Sequence, residues 1–242
     1  MTKMMTEYLM FEAIHDKKIS WDQEHTISEF VHNVSIDTRL SNVPLEVGQN
    51  YTIRELYEAM AIFSANGATI AIAEAIAGSE SAFVKMMNDK AKEIGLDHYH
   101  FVNSTGLNNS DLHGKHPEGT GQMRKMSCLH VLRQNLRCEL WKISRSFRNG
   151  QCTEKEFRNL EGQMKNWNLM LPSLEYEYPG VDGLKTGTTS FAGRCFTGTA
   201  KRGDFRVITV VMNAKDENGN SSDRGRFGET KKCLIMRFLI FR

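Results

Sequence analysis

The sequence predicts an α+β fold, and a change of pattern along the chain carries that prediction. Residues 2–15 and 52–94 hold apolar side chains mostly at helical spacing, whereas residues 192–214 form two short runs of β-prone residues. Helices that precede strands, without regular alternation, are typical of α+β proteins. The chain has 242 residues, of which 40% are hydrophobic and 25% charged. It can therefore build one sizeable domain, or two lobes around one core.

The first predicted helix covers residues 2–15, where Met5, Leu9 and Ala13 recur at helical spacing. This helix begins near Lys3 and holds that lysine on its first turn. Residues 16–49 are polar and lack a clear period, with a proline and a glycine as breaks, so we expect an irregular segment there.

The next predicted helix follows a capping box. Thr52 and Glu55 have the spacing at which each side chain bonds the other residue's backbone N–H. An apolar helix side follows from Leu56 onward, and Ser64-Ala65-Asn66-Gly67 ends the helix. We expect Gly67 to let the backbone turn sharply at this point.

Two more helices are predicted before residue 96. Residues 68–77 are a dense run of alanine and isoleucine, which is typical of a buried helix. The other helix is predicted from Ser79 to about Ile94, with Gly95 as its C-cap.

The strands are predicted late in the chain. Residues 192–200 and 205–214 are β-prone runs separated by Lys201-Arg202-Gly203-Asp204, which predicts an antiparallel hairpin. Lys185-Thr186-Gly187-Thr188 lies just ahead of the hairpin. We expect it to form or adjoin an edge strand of the same sheet.

Three of these stretches resemble the active-site motifs of one enzyme class. Ser-x-x-Lys, Ser-x-Asn and Lys-Thr-Gly are the motifs of the penicillin-binding serine hydrolases. The chain holds Met1-Thr2-Lys3, Ser64-Ala65-Asn66 and Lys185-Thr186-Gly187 in that order. Taken singly, each has an ordinary explanation: a solvated lysine at a chain end, residues that end a helix, or a surface lysine in a turn. The occurrence of all three in the order typical of the penicillin-binding serine hydrolases favours that enzyme class over the ordinary explanations.

The flanking phrases resemble the low-molecular-mass penicillin-binding proteins, the D-alanyl-D-alanine carboxypeptidases, of Gram-positive bacteria. The similarity covers about residues 1–121 and 155–231. Its phrases are Ser64-Ala65-Asn66-Gly67-Ala68, Asn103-Ser104-Thr105-Gly106-Leu107, His116-Pro117-Glu118-Gly119-Thr120-Gly121, Asp182-Gly183-Leu184-Lys185-Thr186-Gly187 and Cys195-Phe196-Thr197-Gly198-Thr199-Ala200. The resemblance implies a penicillin-binding protein/β-lactamase-like transpeptidase fold, an antiparallel sheet flanked by helices.

The resemblance also implies roles for three catalytic residues. A serine attacks the carbonyl of the terminal D-Ala-D-Ala bond, and Lys3 would remove its proton. Ser64 would pass a proton toward the departing D-alanine, and Asn66 would contribute its amide to the substrate or to Lys3. The serine should stand three residues ahead of Lys3, which is the position before Met1. We therefore expect an N-terminally truncated chain that keeps the base, lacks the nucleophile and is inactive.

Substrate binding is assigned by the same resemblance to the Lys-Thr-Gly segment. Lys185 and Thr186 would hold the free carboxylate of the substrate by charge-assisted hydrogen bonds. Gly187 has no side chain to block the peptide, and the backbone N–H of Thr188 would be one oxyanion-hole donor.

The resemblance implies that terminal D-alanine is removed from peptidoglycan stem peptides through an acyl-enzyme, with β-lactams as inhibitors. The family works outside the cytoplasmic membrane, at its surface, yet these residues show no signal peptide and no membrane-spanning run. Two alternatives remain open: a β-lactamase, and a non-catalytic remnant that binds peptidoglycan or β-lactam weakly.

No cofactor and no metal are predicted. The histidines His98, His100, His113 and His116 lie near one another in sequence but show no H-E-x-x-H spacing, so we expect exposed loop histidines. The cysteines are odd in number, five, and have no C-x-x-C spacing, which argues against a disulfide framework or a zinc site.

Two segments do not resemble the family. Residues 122–152 carry seven Lys or Arg against one acid, and residues 232–242 carry three against none. Nucleic-acid binding is one explanation for the first segment, but we favour a shifted reading frame and expect no nucleic-acid partner. Codons allowed for residues 122–131 can be read from the third base as Asp-Glu-Glu-Asn-Glu-Leu-Ser-Ala-Arg, which resembles the family. Codons allowed for residues 232–238 similarly give Met-Phe-Asp-Tyr-Ala-Phe.

The expected organisation is a partial catalytic domain. Residues 1–121 and 155–231 would be family-like, and residues 122–154 and 232–242 would be out of frame. The family's C-terminal β-rich domain and its membrane anchor would be absent, leaving a fold incomplete at both ends.

Overall fold

The computed structural model describes residues 1–96, 99–117, 120, 151–190 and 192–240. These residues fall into two compact units. The helical unit holds the described residues within Thr2–Ser146 and Glu154–Lys165, and the sheet unit holds Met1 and the described residues within Phe147–Thr153 and Asn166–Arg242.

The helical unit is built around one buried helix. Helix α4 contacts four other helices of the unit, as the dense Ala/Ile run predicts. The helices are α1 (Lys3–His15), α2 (Glu29–Ser35), α3 (Ile53–Ile62), α4 (Asn66–Ala77) and α5 (Glu80–Glu93), and a short 3-10 turn covers Asn109–Asp111. Strands β1 (Glu24–Thr26) and β2 (Asn50–Thr52) pair antiparallel, as do β3 (Glu154–Glu156) and β4 (Gln163–Lys165).

Local signals predicted several helix ends correctly. Helix α1 begins at Lys3 as expected. The capping box is confirmed, since the Thr52 hydroxyl accepts from the Glu55 N–H and the Glu55 carboxylate accepts from the Thr52 N–H. Ser79 caps α5, and Gly95 has a φ of +67° just after that helix ends.

The irregular segment predicted for residues 16–49 was wrong in part, because it contains β1 and α2. Helix α2 has only seven residues, too few to show a clear period. It starts where the Ser28 hydroxyl accepts from the Val31 N–H at 3.2 Å. Strand β1 pairs with residues 50–52, and such non-local pairing leaves little trace in three residues of sequence.

The role predicted for Gly67 was also wrong. Gly67 lies in the first turn of α4, and the left-handed residue at this corner is Ser64, with a φ of +61°. A β-carbon on Gly67 would lie 2.7 Å from the Ser35 Cβ. The glycine therefore permits close packing of α4 on α2 rather than a sharp turn.

The sheet unit contains the predicted hairpin and its neighbouring strand. Strands β5 (Val181–Thr189), β6 (Gly193–Arg202) and β7 (Phe205–Ala214) form an antiparallel sheet in the order β5-β6-β7. Within the described residues β5 is an edge strand, as predicted for the Lys-Thr-Gly segment.

Helix α6 (Asp223–Ile240) contacts β6 and β7. Its side chains join a core whose buried members are Met170, Tyr178, Val181, Phe196, Ala200, Val207, Phe227, Leu234 and Phe238. The other side of its last turns is apolar and exposed: Ile235, Met236 and Leu239 are 39%, 60% and 61% exposed. Of the first segment proposed to be out of frame, residues 122–150 lie outside the described residues. Of the second, residues 232–240 form the last part of α6.

Within the described part of the chain, no helix combines the length and apolar character needed to cross a bilayer.

Candidate active site

The first turn of α1 carries a buried lysine. Lys3 is 7% exposed. Its Nζ donates to Asn66 Oδ1 at 2.6 Å and to the Thr105 carbonyl at 3.2 Å. The structure therefore joins the first and second motifs, which lie 63 residues apart.

The amide of Asn66 is held from its other end as well. Its Nδ2 donates to the Ser41 carbonyl at 3.0 Å, which orients Oδ1 toward Lys3. The Asn42 Oδ1 accepts from the backbone N–H groups of Asn66 and Gly67 at 3.0 and 2.9 Å. Asn42 thereby does the work of an N-cap for α4, because Ala65 at the cap position has no side-chain acceptor.

Asn42 was missed by the sequence analysis. Its segment was expected to be irregular, and the contact spans 24 residues. The one available signal was the alanine at the cap of a strongly predicted helix, which requires an acceptor from elsewhere.

Ser64 occupies the short link between α3 and α4 and is partly exposed. Its φ of +61° is unusual for a residue other than glycine. The bond from the Ala65 N–H to the Ala59 carbonyl, 3.0 Å, helps to hold this link. Backbone strain of this kind costs on the order of 1–3 kcal/mol and clusters at functional sites.

The Thr105 carbonyl belongs to a tight buried loop. The Asn103 Oδ1 accepts from the Gly106 N–H at 2.7 Å and from the Thr105 hydroxyl at 3.0 Å. Gly106 has a φ of +81°, and a β-carbon there would collide with the Thr2 hydroxyl. The phrase Asn103-Ser104-Thr105-Gly106 thus packs against the start of α1.

The third motif lies on β5 in the sheet unit. Lys185 and Thr186 are buried, 6% and 8% exposed, whereas Thr188 is exposed. Gly187 is opposite Cys195 on β6. In the described residues β5 pairs with β6 alone, so its outer edge has backbone groups that an extended peptide could bond.

Met1 packs beside this motif. The Thr197 hydroxyl donates to the Met1 Sδ at 3.0 Å. A β-carbon on Gly187 would lie 3.2 Å from the Met1 nitrogen, so the absence of a side chain at residue 187 makes room for the chain's first residue.

Arg226 on α6 is a second residue that the sequence analysis missed. It is 2% exposed, and its Nη1 donates to the Thr188 Oγ1 at 3.3 Å. Its Nη2 also pairs with the Asp223 carboxylate. Burial lowers the pKa of Arg226 and the Asp223 charge opposes that change, but an arginine stays protonated in proteins. The only signal in the sequence was an Asp and an Arg three residues apart on a helix.

The histidines considered as metal ligands are not brought together in the described residues, where no group of three or more His, Cys, Asp or Glu could hold a metal ion. His98 lies outside those residues. His113 instead lies 3.3 Å from the Asp37 carboxylate.

Known D-alanyl-D-alanine carboxypeptidases match this sequence over nearly the whole chain. The family model for D-alanyl-D-alanine carboxypeptidases, peptidase family S11, matches residues 1–216. The D-alanyl-D-alanine carboxypeptidase DacF of Bacillus subtilis is 37% identical over 98% of this chain and 55% of its own length.

Solved structures agree with the sequence relatives. The Streptococcus pneumoniae peptidoglycan synthesis regulatory factor PBP3 matches with a TM-score of 0.87 and 33% identity, over 97% of this chain and 64% of that one. Penicillin-binding protein D2 of Listeria monocytogenes, in its ampicillin-bound form, matches with a TM-score of 0.73 and 27% identity, over 98% and 85%.

The fold is therefore the α+β fold of the penicillin-binding proteins and β-lactamases. The chain belongs to the D-alanyl-D-alanine carboxypeptidase family. It spans about half the length of the curated relatives it matches.

Proposed function

We propose that this chain is catalytic-domain sequence of a serine-type D-Ala-D-Ala carboxypeptidase, which removes the terminal D-alanine of peptidoglycan stem peptides outside the cytoplasmic membrane. The observation that carries the proposal is the bond between Lys3 Nζ and Asn66 Oδ1. It places the amine of one family motif against the amide of the next, in a buried setting. The substrate is a peptide with a free terminal carboxylate, and β-lactams are inhibitors.

The proton chemistry is assigned to the helical unit. Lys3 takes the proton of the attacking serine, because burial favours the neutral form of an amine, which is the form that can act as a base. Asn66 and the Thr105 carbonyl aim that amine. The hydroxyl of Ser64 then passes its proton to the departing D-alanine and takes up the proton that Lys3 received, so D-alanine leaves as a neutral amine. The serine keeps the acyl group until water hydrolyses the ester.

The sheet unit is assigned the substrate. Lys185 and Thr186 bind the carboxylate, and the buried guanidinium of Arg226 adds positive charge behind Thr188. The peptide lies along the outer edge of β5. The Thr188 N–H is the oxyanion-hole donor that this chain supplies.

The attacking serine belongs three residues ahead of Lys3, a position outside residues 1–242. We therefore expect these residues on their own to form no acyl-enzyme. The experiment compares them with a chain extended by a short segment that ends in serine directly ahead of Met1. Fluorescent penicillin and a peptide ending in D-Ala-D-Ala are given to both, and thermal unfolding checks that both fold.

The extended chain should be labelled and release D-alanine, and Lys3→Met should abolish both reactions. If the extended chain folds like its parent yet is neither labelled nor active, the assignment of Lys3 and Asn66 is wrong. Labelling of the 242-residue chain would reveal another nucleophile, with Ser64 the first to substitute. Rapid release of the penicillin adduct would instead favour a β-lactamase.

The carboxylate site has a separate test that needs no nucleophile. Binding of a D-Ala-D-Ala peptide and of its C-terminal amide is compared by NMR titration. The free acid should bind more tightly, and Lys185→Met should remove that preference. Lys201→Met, at an exposed lysine of the same sheet, should not. Equal binding of acid and amide by the wild-type chain would contradict the site.

A further inference from the structure

A carboxylate is buried at the start of α5. Glu80 is 6% exposed, and its Oε1 accepts from the Ser104 N–H at 2.7 Å. Neither the second oxygen of Glu80 nor the Ser104 hydroxyl has a hydrogen-bond partner among the described residues, and both are buried. Burying a carboxylate is costly unless hydrogen bonds or an opposite charge compensate for the lost water. Among the described residues Glu80 has one such bond, to the Ser104 N–H, and we ask what this bond does for the loop.

The loop that Glu80 holds is the one that holds α1. The Ser104 carbonyl accepts from the Thr6 hydroxyl at 2.8 Å, and the next carbonyl, that of Thr105, accepts from Lys3 Nζ at 3.2 Å. Glu80 thus binds the N–H of Ser104, and the carbonyl of the same residue accepts from Thr6. The Ser104 N–H and the two carbonyls belong to three consecutive peptide units, so a bond that anchors the first unit limits how far the next two can move.

We propose that Glu80 is a positioning residue for Lys3, holding the Ser104 amide so that the Thr105 carbonyl meets the lysine amine. The importance of this role for catalysis rests on the function proposed above, but the geometric claim does not. Oxygen placement is what matters, and the negative charge is secondary.

The surroundings of the Glu80 carboxyl affect its pKa but do not remove its hydrogen bond to the Ser104 N–H. Burial raises the pKa of its carboxyl to about 7, the bond from the Ser104 N–H opposes that change, and the Glu74 charge on α4 adds to it. The carboxyl therefore titrates near neutrality while its bond to the loop can be kept in both protonation states, because Oε1 remains an acceptor in each.

Two substitutions separate oxygen placement from charge. Glu80→Gln keeps an acceptor oxygen at the same distance along the side chain and removes the charge. Glu80→Asp keeps the charge and withdraws the oxygens by one methylene. The readouts are the Lys3 side-chain NMR signal (13Cε and 15Nζ) and hydrogen exchange of the Ser104 amide in the 242-residue chain.

We expect Glu80→Gln to leave the Lys3 signal in place. Glu80→Asp should shift it and speed Ser104 exchange about tenfold or more, since the shorter side chain no longer brings an acceptor oxygen to the Ser104 N–H. A shift in Glu80→Gln as large as or larger than that in Glu80→Asp would mean that the charge, which only Glu80→Gln removes, matters at least as much as the placement of the oxygen. An unshifted Lys3 signal in Glu80→Asp would reduce Glu80 to a structural residue. Either result overturns the proposal.

Asn88 provides the matched control on the same helix. Its side chain accepts from the Phe101 N–H and donates to the Phe101 carbonyl, both at 3.0 Å, so it tethers the same loop farther from Lys3. Asn88→Ala should lower stability and leave the Lys3 signal unchanged. A shift as large as that of Glu80→Asp would show that any loosening of the loop is enough, which contradicts a specific role. Penicillin labelling plays no part here, so failure of this proposal and failure of the proposed function are distinguishable.

Discussion

The contribution of the Lys3–Asn66 hydrogen bond to the free energy of unfolding can be measured directly. Asn66→Ala should cost about 1–3 kcal/mol of unfolding free energy, because it removes a buried acceptor of the Lys3 amine. In a Lys3→Met background the same change should cost less, since no amine then donates to the amide. Urea unfolding of the four proteins in this cycle measures the coupling. Changes that add within about 0.5 kcal/mol would show that the contact contributes nothing.

Glu80 makes stability depend on pH in a defined direction. Burial raises the pKa of its carboxyl from 4.5 to about 7, so the folded chain binds the proton more tightly than the unfolded chain. The stability contributed by this protonation is full below pH 4.5 and is lost as the pH rises through about 7.

Glu80→Gln cannot ionise. Its unfolding free energy relative to wild type should therefore rise with pH, by on the order of 3 kcal/mol between the two pKa values. Urea unfolding at several pH values measures the difference. A difference that stays constant from pH 4.5 to 7.5 would place the Glu80 carboxyl in contact with solvent.

Candidate site residues can be proposed from the sequence where they belong to a short motif, but not where they act across the fold. Lys3, Ser64, Asn66 and Lys185 are recognised from their neighbours in sequence. Asn42 and Arg226 are not, because what they do depends on an amide and a hydroxyl brought to them by distant segments. Glu80 looks in sequence like an ordinary first-turn acid of a helix.

At the level of elements, helix α6 tests whether burial rather than composition sets stability. Leu234 is fully buried and Leu239 is 61% exposed on the same helix. Leu234→Ala should cost about 2–5 kcal/mol through the cavity it leaves. Leu239→Ala should change stability by less than about 0.5 kcal/mol. Thermal and urea unfolding measure both, and equal losses would mean that α6 does not pack on the sheet as described.

The elements that sequence predicted best are those with strong local signals. The capping box at Thr52, the Ala/Ile helix and the hairpin after Lys185 can each be recognised from one continuous stretch of sequence. The three-residue strands and α2 do not, since their stability comes from partners elsewhere in the chain. Gly67 shows the same limit, because its need for close packing arises from Ser35 on another helix.

For the whole molecule, the proposal that two segments are read out of frame has its own test. The coding DNA should contain codons whose shifted reading restores the acidic, family-like sequence across residues 122–154 and 232–242. The charge imbalance of both segments supports this. Codons that give no such reading in any shifted frame would refute the proposal and leave the basic segment to be explained as a surface of its own.

The left-handed backbone at Ser64 has an evolutionary consequence. Glycine adopts a φ of +61° without the steric cost that serine bears, so replacing Ser64 by glycine relaxes the backbone and also deletes the hydroxyl proposed to move the proton. Selection for a sturdier protein and selection for a working enzyme would then favour different residues at position 64. In a lineage that no longer needs catalysis, we expect serine to be lost at position 64 and glycine to become common there.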